Sequence, residues 1–199
     1  MASVIQIANR ALTKLGAARI ISLGDDNKQS RAVLSCFDDL RDDELRSHRW
    51  SFAMRRTSLA ADSEAPAFGF TYAYTLPADF LRLDLVNDEF PAVVMDNYIG
   101  VETNDYTIEG NKILANMAAP LKLRYIARIE DPNQMDVNFR EALSCRIAAE
   151  LAEDLTQSNQ KRELAWNEYK QAVSRAVRTN AIEKPPMMQG DNQWIMSRL

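Results

Sequence analysis

The sequence predicts an α+β chain, mainly α: an antiparallel four-helix bundle with an inserted antiparallel β-sheet subdomain and an extended C-terminal tail. Three observations point there. Apolar residues recur at helical spacing over residues 1–50 and again over 130–179, which supplies two pairs of amphipathic helices. Between them, residues 51–129 alternate apolar and polar side chains with the period of a strand. Over 180–199, Pro185-Pro186 forbids helix and Gly190-Asp191-Asn192 favours a turn. Each helix pair is too small to hide its own stripes, so the four are expected to pack as one bundle with the sheet inserted between its halves.

The first helix opens at Ser3, whose partner Gln6 makes a capping box. It carries Ile5, Ala8, Leu12 and Leu15 as one stripe and stops at Gly16. After Ile20-Ile21-Ser22-Leu23, the run Gly24-Asp25-Asp26-Asn27 supplies turn and cap chemistry. The second helix is expected to turn Val33, Leu34, Phe37, Leu40 and Leu45 inward, with a charged outer face from Asp38 to Arg46. His48 stands near its C-terminus and caps it.

Strand periodicity starts in the next segment, where Trp50, Phe52 and Met54 alternate with Ser51, Ala53 and Arg55. Leu81, Leu83 and Leu85 alternate with Arg82 and Asp84. Tyr106 and Ile108 lead through Glu109-Gly110-Asn111-Lys112, a hairpin-like turn, into Ile113-Leu114. Leu121, Leu123, Tyr125 and Ala127 alternate with Lys122, Arg124, Ile126 and Arg128, as in a sheet that is solvated on one face.

Helix returns at Asn138, whose partner Glu141 suits a second capping box. Phe139, Leu143, Ile147, Leu151 and Leu155 step every four residues. Ala142, Cys145, Ala149 and Ala152 form a narrow face that admits a close neighbour. The last helix carries Leu164, Trp166, Tyr169, Val173 and Val177. Trp194-Ile195-Met196 then places three apolar residues on the tail, where Trp194 is exposed, folds back, or fills a partner's pocket.

Composition restricts the chemistry. With 199 residues, 46% apolar, the chain can bury one core or two small ones. A net charge of −4 argues against tight DNA binding, since duplex binders usually present a basic face. Cys36 and Cys145 have no C-x-x-C partner and read as reduced, buried thiols. No leader-like segment opens the chain, and no apolar run suffices to span a bilayer, so secretion and membrane insertion are not expected.

No cofactor or metal site is expected. His48 is the only histidine, and the six glycines form no phosphate-cradling loop. Asp38 and Asp42 stand at i,i+4, about 5–6 Å apart at Cβ, close to the spacing of about 5–5.5 Å used by retaining glycosidases. Arg41 and Arg46, interleaved with Asp38, Asp39, Asp42, Asp43 and Glu44, point instead to a solvated, salt-laced face. Trp50, Phe52 and Trp166 read as structural anchors at the junction between helices and sheet.

Several segments together resemble the tail tubular protein A family, the head-to-tail adaptors of short-tailed bacteriophages and prophages. They are Asn9-Arg10-Ala11-Leu12 with Leu15-Gly16, then Ser47-His48-Arg49-Trp50-Ser51-Phe52-Ala53, then Tyr74 with Leu76-Pro77-Ala78-Asp79, then Arg124-Tyr125-Ile126, and last the Gly190-Asp191 tail that closes on Arg198. The resemblance implies a structural virion protein, not an enzyme, assembled in the host cytoplasm. It implies a dodecameric ring docked under the portal protein, with the tail nozzle below and double-stranded DNA passing through the lumen without specific binding. In such adaptors the C-terminal segment reaches toward the portal, which would make Trp194, Ile195, Met196 and Arg198 the portal-binding anchor. Some phage adaptors are credited with wall-degrading activity. The alternative is therefore a phage-encoded glycan or peptidoglycan hydrolase using helix-borne carboxylates, although no acid pair here matches a motif.

Overall fold

A computed structural model of the chain describes residues 2–87 and 106–183. Helix α1 (Val4–Leu15) is closed at its start by the reciprocal Ser3–Gln6 capping box and at its end by Gly16, whose φ of 70° is left-handed. Helix α2 (Lys28–Ser47) is capped by the Asn27 side chain. A short 3-10 turn, Ser51–Ala53, follows before the strands begin. The aromatic alternation at 50–54 is therefore a tight turn, and strand pairing starts only at Met54.

Six strands follow among the described residues: β1 (Met54–Leu59), β2 (Tyr72–Thr75), β3 (Phe80–Val86), β4 (Tyr106–Glu109), β5 (Lys112–Ala115) and β6 (Leu121–Ala127). They form two antiparallel sheets of three strands, ordered β1-β6-β3 and β2-β5-β4. The β4–β5 hairpin turns at Gly110, whose φ is 59°. Helix α3 (Val137–Thr156) is capped by Asp136, whose carboxylate accepts from the Asn138 and Phe139 amides at 2.7 and 3.3 Å. The expected cap at Asn138 therefore lies two residues too late. Helix α4 (Asn159–Ile182) starts at a Ser158 cap.

The architecture corrects the expectation of a four-helix bundle carrying an inserted sheet. The strands divide into two sheets, and the helices share no four-way seam. Instead α3 is a hub against which α4, α1 and α2 each pack, and α2 gives its other side to β3 and β6. One continuous hydrophobic core runs from Ile7 and Leu12 in α1, through Phe139 and Leu143 in α3, to Leu123 and Ile126 in one sheet and Tyr74 and Ile113 in the other. The strands belong to that core because their inner faces are as apolar as the helices, so burying both together removes more apolar surface than a bundle alone.

Two stripes also shift. Leu34 is 57% exposed and Leu164 is 60% exposed, although both were expected to face inward. On α4 the buried positions are Ala165, Ala172 and Ala176. Helix α4 packs chiefly on α3, and small residues at its buried positions let the two backbones approach closely while larger side chains lie on the flanks. Among the described residues, no helix is long and apolar enough to cross a membrane.

Candidate functional site

Three of the resembling segments, 47–53, 76–79 and 124–126, lie where the C-terminal end of α2 meets the β1-β6-β3 sheet. In α2, Phe37, Leu40, Arg41, Glu44 and Leu45 fall on one helical stripe, and all five are buried. Two charged residues thus sit where apolar ones would be expected. Arg41 holds Asp38 at 2.7 Å and Asp42 at 2.9 Å, and Arg128 at the end of β6 also reaches Asp42, at 2.7 Å. The two carboxylates with glycosidase-like spacing are therefore both bound to guanidinium groups.

Glu44 is 1% exposed. Its Oε2 accepts a hydrogen bond from the Tyr169 hydroxyl of α4 at 2.8 Å, while Oε1 has no hydrogen-bond partner among the described residues. Burial pushes its carboxyl above the ordinary range, against the opposing pull of the Tyr169 hydrogen bond and the Arg146 charge. Arg146 stands over the Trp166 ring at 4.7 Å and the Tyr169 ring at 5.4 Å, and it approaches Asp43 at 3.7 Å. Burial pushes the Tyr169 hydroxyl upward, reinforced by the Glu44 charge.

Beside this network the indole N–H of Trp50 donates to the Glu44 carbonyl at 2.8 Å, so Trp50, not His48, takes up a carbonyl of the last helical turn. His48 occupies the C-cap position with its ring edge-on to Trp50 at 5.5 Å, and burial, with the Arg82 charge, lowers its pKa. Trp50 packs on Phe52 at 6.2 Å and on Phe139 of α3 at 5.1 Å. Asn180 of α4 closes the joint: its Oδ1 accepts from the Ser51 amide, and its Nδ2 donates to the Arg49 carbonyl, both at 2.8 Å. Trp50 and Phe52 thus share one aromatic cluster, whereas the ring contacts of Trp166 are with Tyr169 and Arg146.

The remaining described segments of the resemblance have defined contacts too. Asn9 grips the backbone of Ile20 through two hydrogen bonds of 2.8 Å. Asp79, just before β3, accepts from the Tyr125 hydroxyl at 2.9 Å, and its carbonyl accepts from the Arg128 amide at 2.7 Å. Burial and the Asp79 carboxylate push the Tyr125 hydroxyl to about 12. Asp84, buried on β3, is paired with Arg49 and with Arg124, each at 2.5 Å. Burial raises its pKa, but the two guanidinium groups outweigh that and hold the carboxyl below its ordinary value.

The four anchor residues Trp194, Ile195, Met196 and Arg198 lie outside the described residues. Cys36 and Cys145 are free thiols, both raised by burial, Cys36 to about 11. Among the described residues no cluster of His, Cys, Asp or Glu could hold a metal ion. Arg41 and Glu44, expected on a solvated face, are buried instead, and Tyr169, expected on an apolar stripe, serves Glu44 as a donor; Arg146 and Asn180 had not been singled out from the sequence. The stripe at 37, 40, 41, 44 and 45 was the available signal for Arg41 and Glu44. No family model matches the chain, and no curated protein is significantly similar to it.

Proposed function

We propose that this chain is a structural virion protein, a head-to-tail adaptor that joins a portal protein to a tail nozzle and forms part of a DNA ejection channel. The observation that carries the reading is the ordered set of segments resembling the tail tubular protein A family. What supports it further is that three of these segments, 47–53, 76–79 and 124–126, lie around one joint, tied by the Arg49–Asp84–Arg124 and Asp79–Tyr125 contacts. Such a joint holds helices and sheets in fixed orientation, which a ring subunit under load requires.

The mechanism is multivalent docking. Twelve copies tied in a ring present twelve tails, and each weak tail-to-portal contact then forms at high effective concentration. Trp194, Ile195, Met196 and Arg198 are the proposed anchor, because aromatic and Arg side chains dominate interface energetics. The hydrolase alternative draws no support from Asp38 and Asp42, since both are held by Arg41.

The test is electron microscopy of the protein mixed with purified portal, using the full chain and a chain lacking residues 185–199. The full chain should decorate portal as a ring, and the shortened chain should keep its circular dichroism spectrum but fail to bind. Equal binding by both removes the tail anchor. A full chain that ignores portal and stays monomeric sinks the adaptor reading.

A further inference from the structure

We infer that the open half of the β1-β6-β3 sheet, with the end of α2 beside it, is a docking surface for the phosphate backbone of duplex nucleic acid. The chain carries a net charge of −4, yet its cations are not evenly spread. Arg56 on β1 lies opposite Arg124 on β6, and Lys122 lies two residues further along β6 opposite Ser58. The period of a strand therefore puts Arg56, Lys122 and Arg124 on one face. Together with Thr57, Ser58, Leu85 and Leu123 they line a hollow of about 390 Å³.

The same face continues to Arg82, which pairs across from Ile126 and feels the charges of Arg49 and Arg46. The one carboxylate within this group is Asp84, already shared by Arg49 and Arg124. Arg49 and Arg124 satisfy Asp84, and the acids one turn before Arg46 on α2, Asp42 and Asp43, are paired with Arg41, Arg128 and Arg146, which leaves Arg46, Arg56, Arg82 and Lys122 to set the sign of the surface. Arg56 and Lys122 are exposed, and neither has a carboxylate within ion-pair distance among the described residues.

The chemistry of the surface selects the occupant. Protein interfaces need a desolvated apolar or aromatic centre. None of the described exposed large apolar side chains belongs to β1, β3 or β6. The lining of the hollow contains no aromatic ring on which an unpaired base could stack, which disfavours single strands. A cationic hollow without stacking platforms fits the backbone of a duplex, contacted without sequence readout. The binding is weak and lost with salt, because few phosphates are neutralised and the rest of the molecule is acidic. The inference rests on the placement of charge and holds whether or not the chain is an adaptor.

The experiment is fluorescence anisotropy of the full chain with a labelled random-sequence duplex between about 20 and 200 mM salt, with a single strand of the same length as comparison. The variant Arg56→Gln/Lys122→Gln alters exposed side chains, and its circular dichroism spectrum checks the fold. Arg19→Gln/Lys170→Gln removes the same charge from α4 and the loop after α1. The expected result is duplex binding at low salt, a log–log salt slope reduced by about two in the sheet variant, and no such reduction in the helix-side variant. Four results would overturn the inference: no duplex binding at low salt, equal losses in both variants, tighter binding of the single strand, or tighter binding of labelled polyglutamate than of the duplex, which would assign the face to an acidic protein.

Discussion

Replacing Tyr169 by Phe isolates one hydroxyl in the centre of the α2–α3–α4 contact. The ring keeps its edge-on packing against Trp166 at 5.6 Å and its place under Arg146, so no appreciable cavity is made. What disappears is the donor at 2.8 Å from Glu44 Oε2. Glu44 is almost fully enclosed and its other oxygen has no partner among the described residues, so solvent does not readily replace the lost bond. A hydrogen bond to a charged group contributes about 1.5–3 kcal/mol. For a chain of this size that corresponds to a melting shift of roughly 3–12 °C.

The loss depends on pH, and its sign follows from Glu44. The folded-state pKa of this carboxyl is raised, so the folded chain binds the proton more tightly than the unfolded chain does. The stability arising from this is fully present below the unfolded value of about 4.3, and it is lost as pH rises through the folded value. Removing the hydroxyl raises the carboxyl further. The destabilisation should therefore be larger at pH 7 than in mild acid, where the neutral carboxyl needs the donor less. Urea unfolding followed by circular dichroism at pH 7 and pH 4.5 measures both. A difference below about 0.5 kcal/mol at pH 7, or one independent of pH, would refute the reasoning. The Glu44→Gln chain should lose this pH dependence while remaining folded.

Two further substitutions probe the joint. Trp50→Ala removes a buried ring that meets Phe139 and Phe52 and leaves the Glu44 carbonyl without its donor. It should cost about 3–5 kcal/mol, read as a lower denaturant midpoint with the slope unchanged. Asp84→Asn leaves two guanidinium groups facing a neutral amide and should cost about 1–3 kcal/mol at neutral pH. Because the Asp84 pKa is depressed, its stabilisation is present above the unfolded value and lost as pH falls through the folded value, so the variant should also unfold less steeply in acid. Acid titration of both chains checks this.

Local chemistry was the legible part of this fold. Ser3 with Gln6, Gly16 and Asn27 each mark a helix end through the backbone groups beside them, and the structure uses all three. The tail end of α4 and the start of α3 were less clear. Asp136 and Asn138 both have capping side chains, and only the path of the preceding turn selects Asp136. The division into two sheets depends on which strands meet across long separations in sequence, and alternation says nothing about that. Glu44 and Arg41 were hidden by their neighbours, because an acidic run looks solvated until the helical period is followed through it residue by residue. Burial on α4 follows how closely a neighbouring backbone approaches, so alanines there outrank Leu164 and Trp166.

The shared core has a consequence during synthesis. Strand β1 must wait for β6 to pair, and α1 finds its partner α3 only after both sheets have emerged. A nascent chain halted before residue 137 would leave uncovered the sides of α1 and α2 that pack on α3. Closure is therefore a late event, and the ribosome-bound intermediate depends on chaperones or on speed to avoid aggregating.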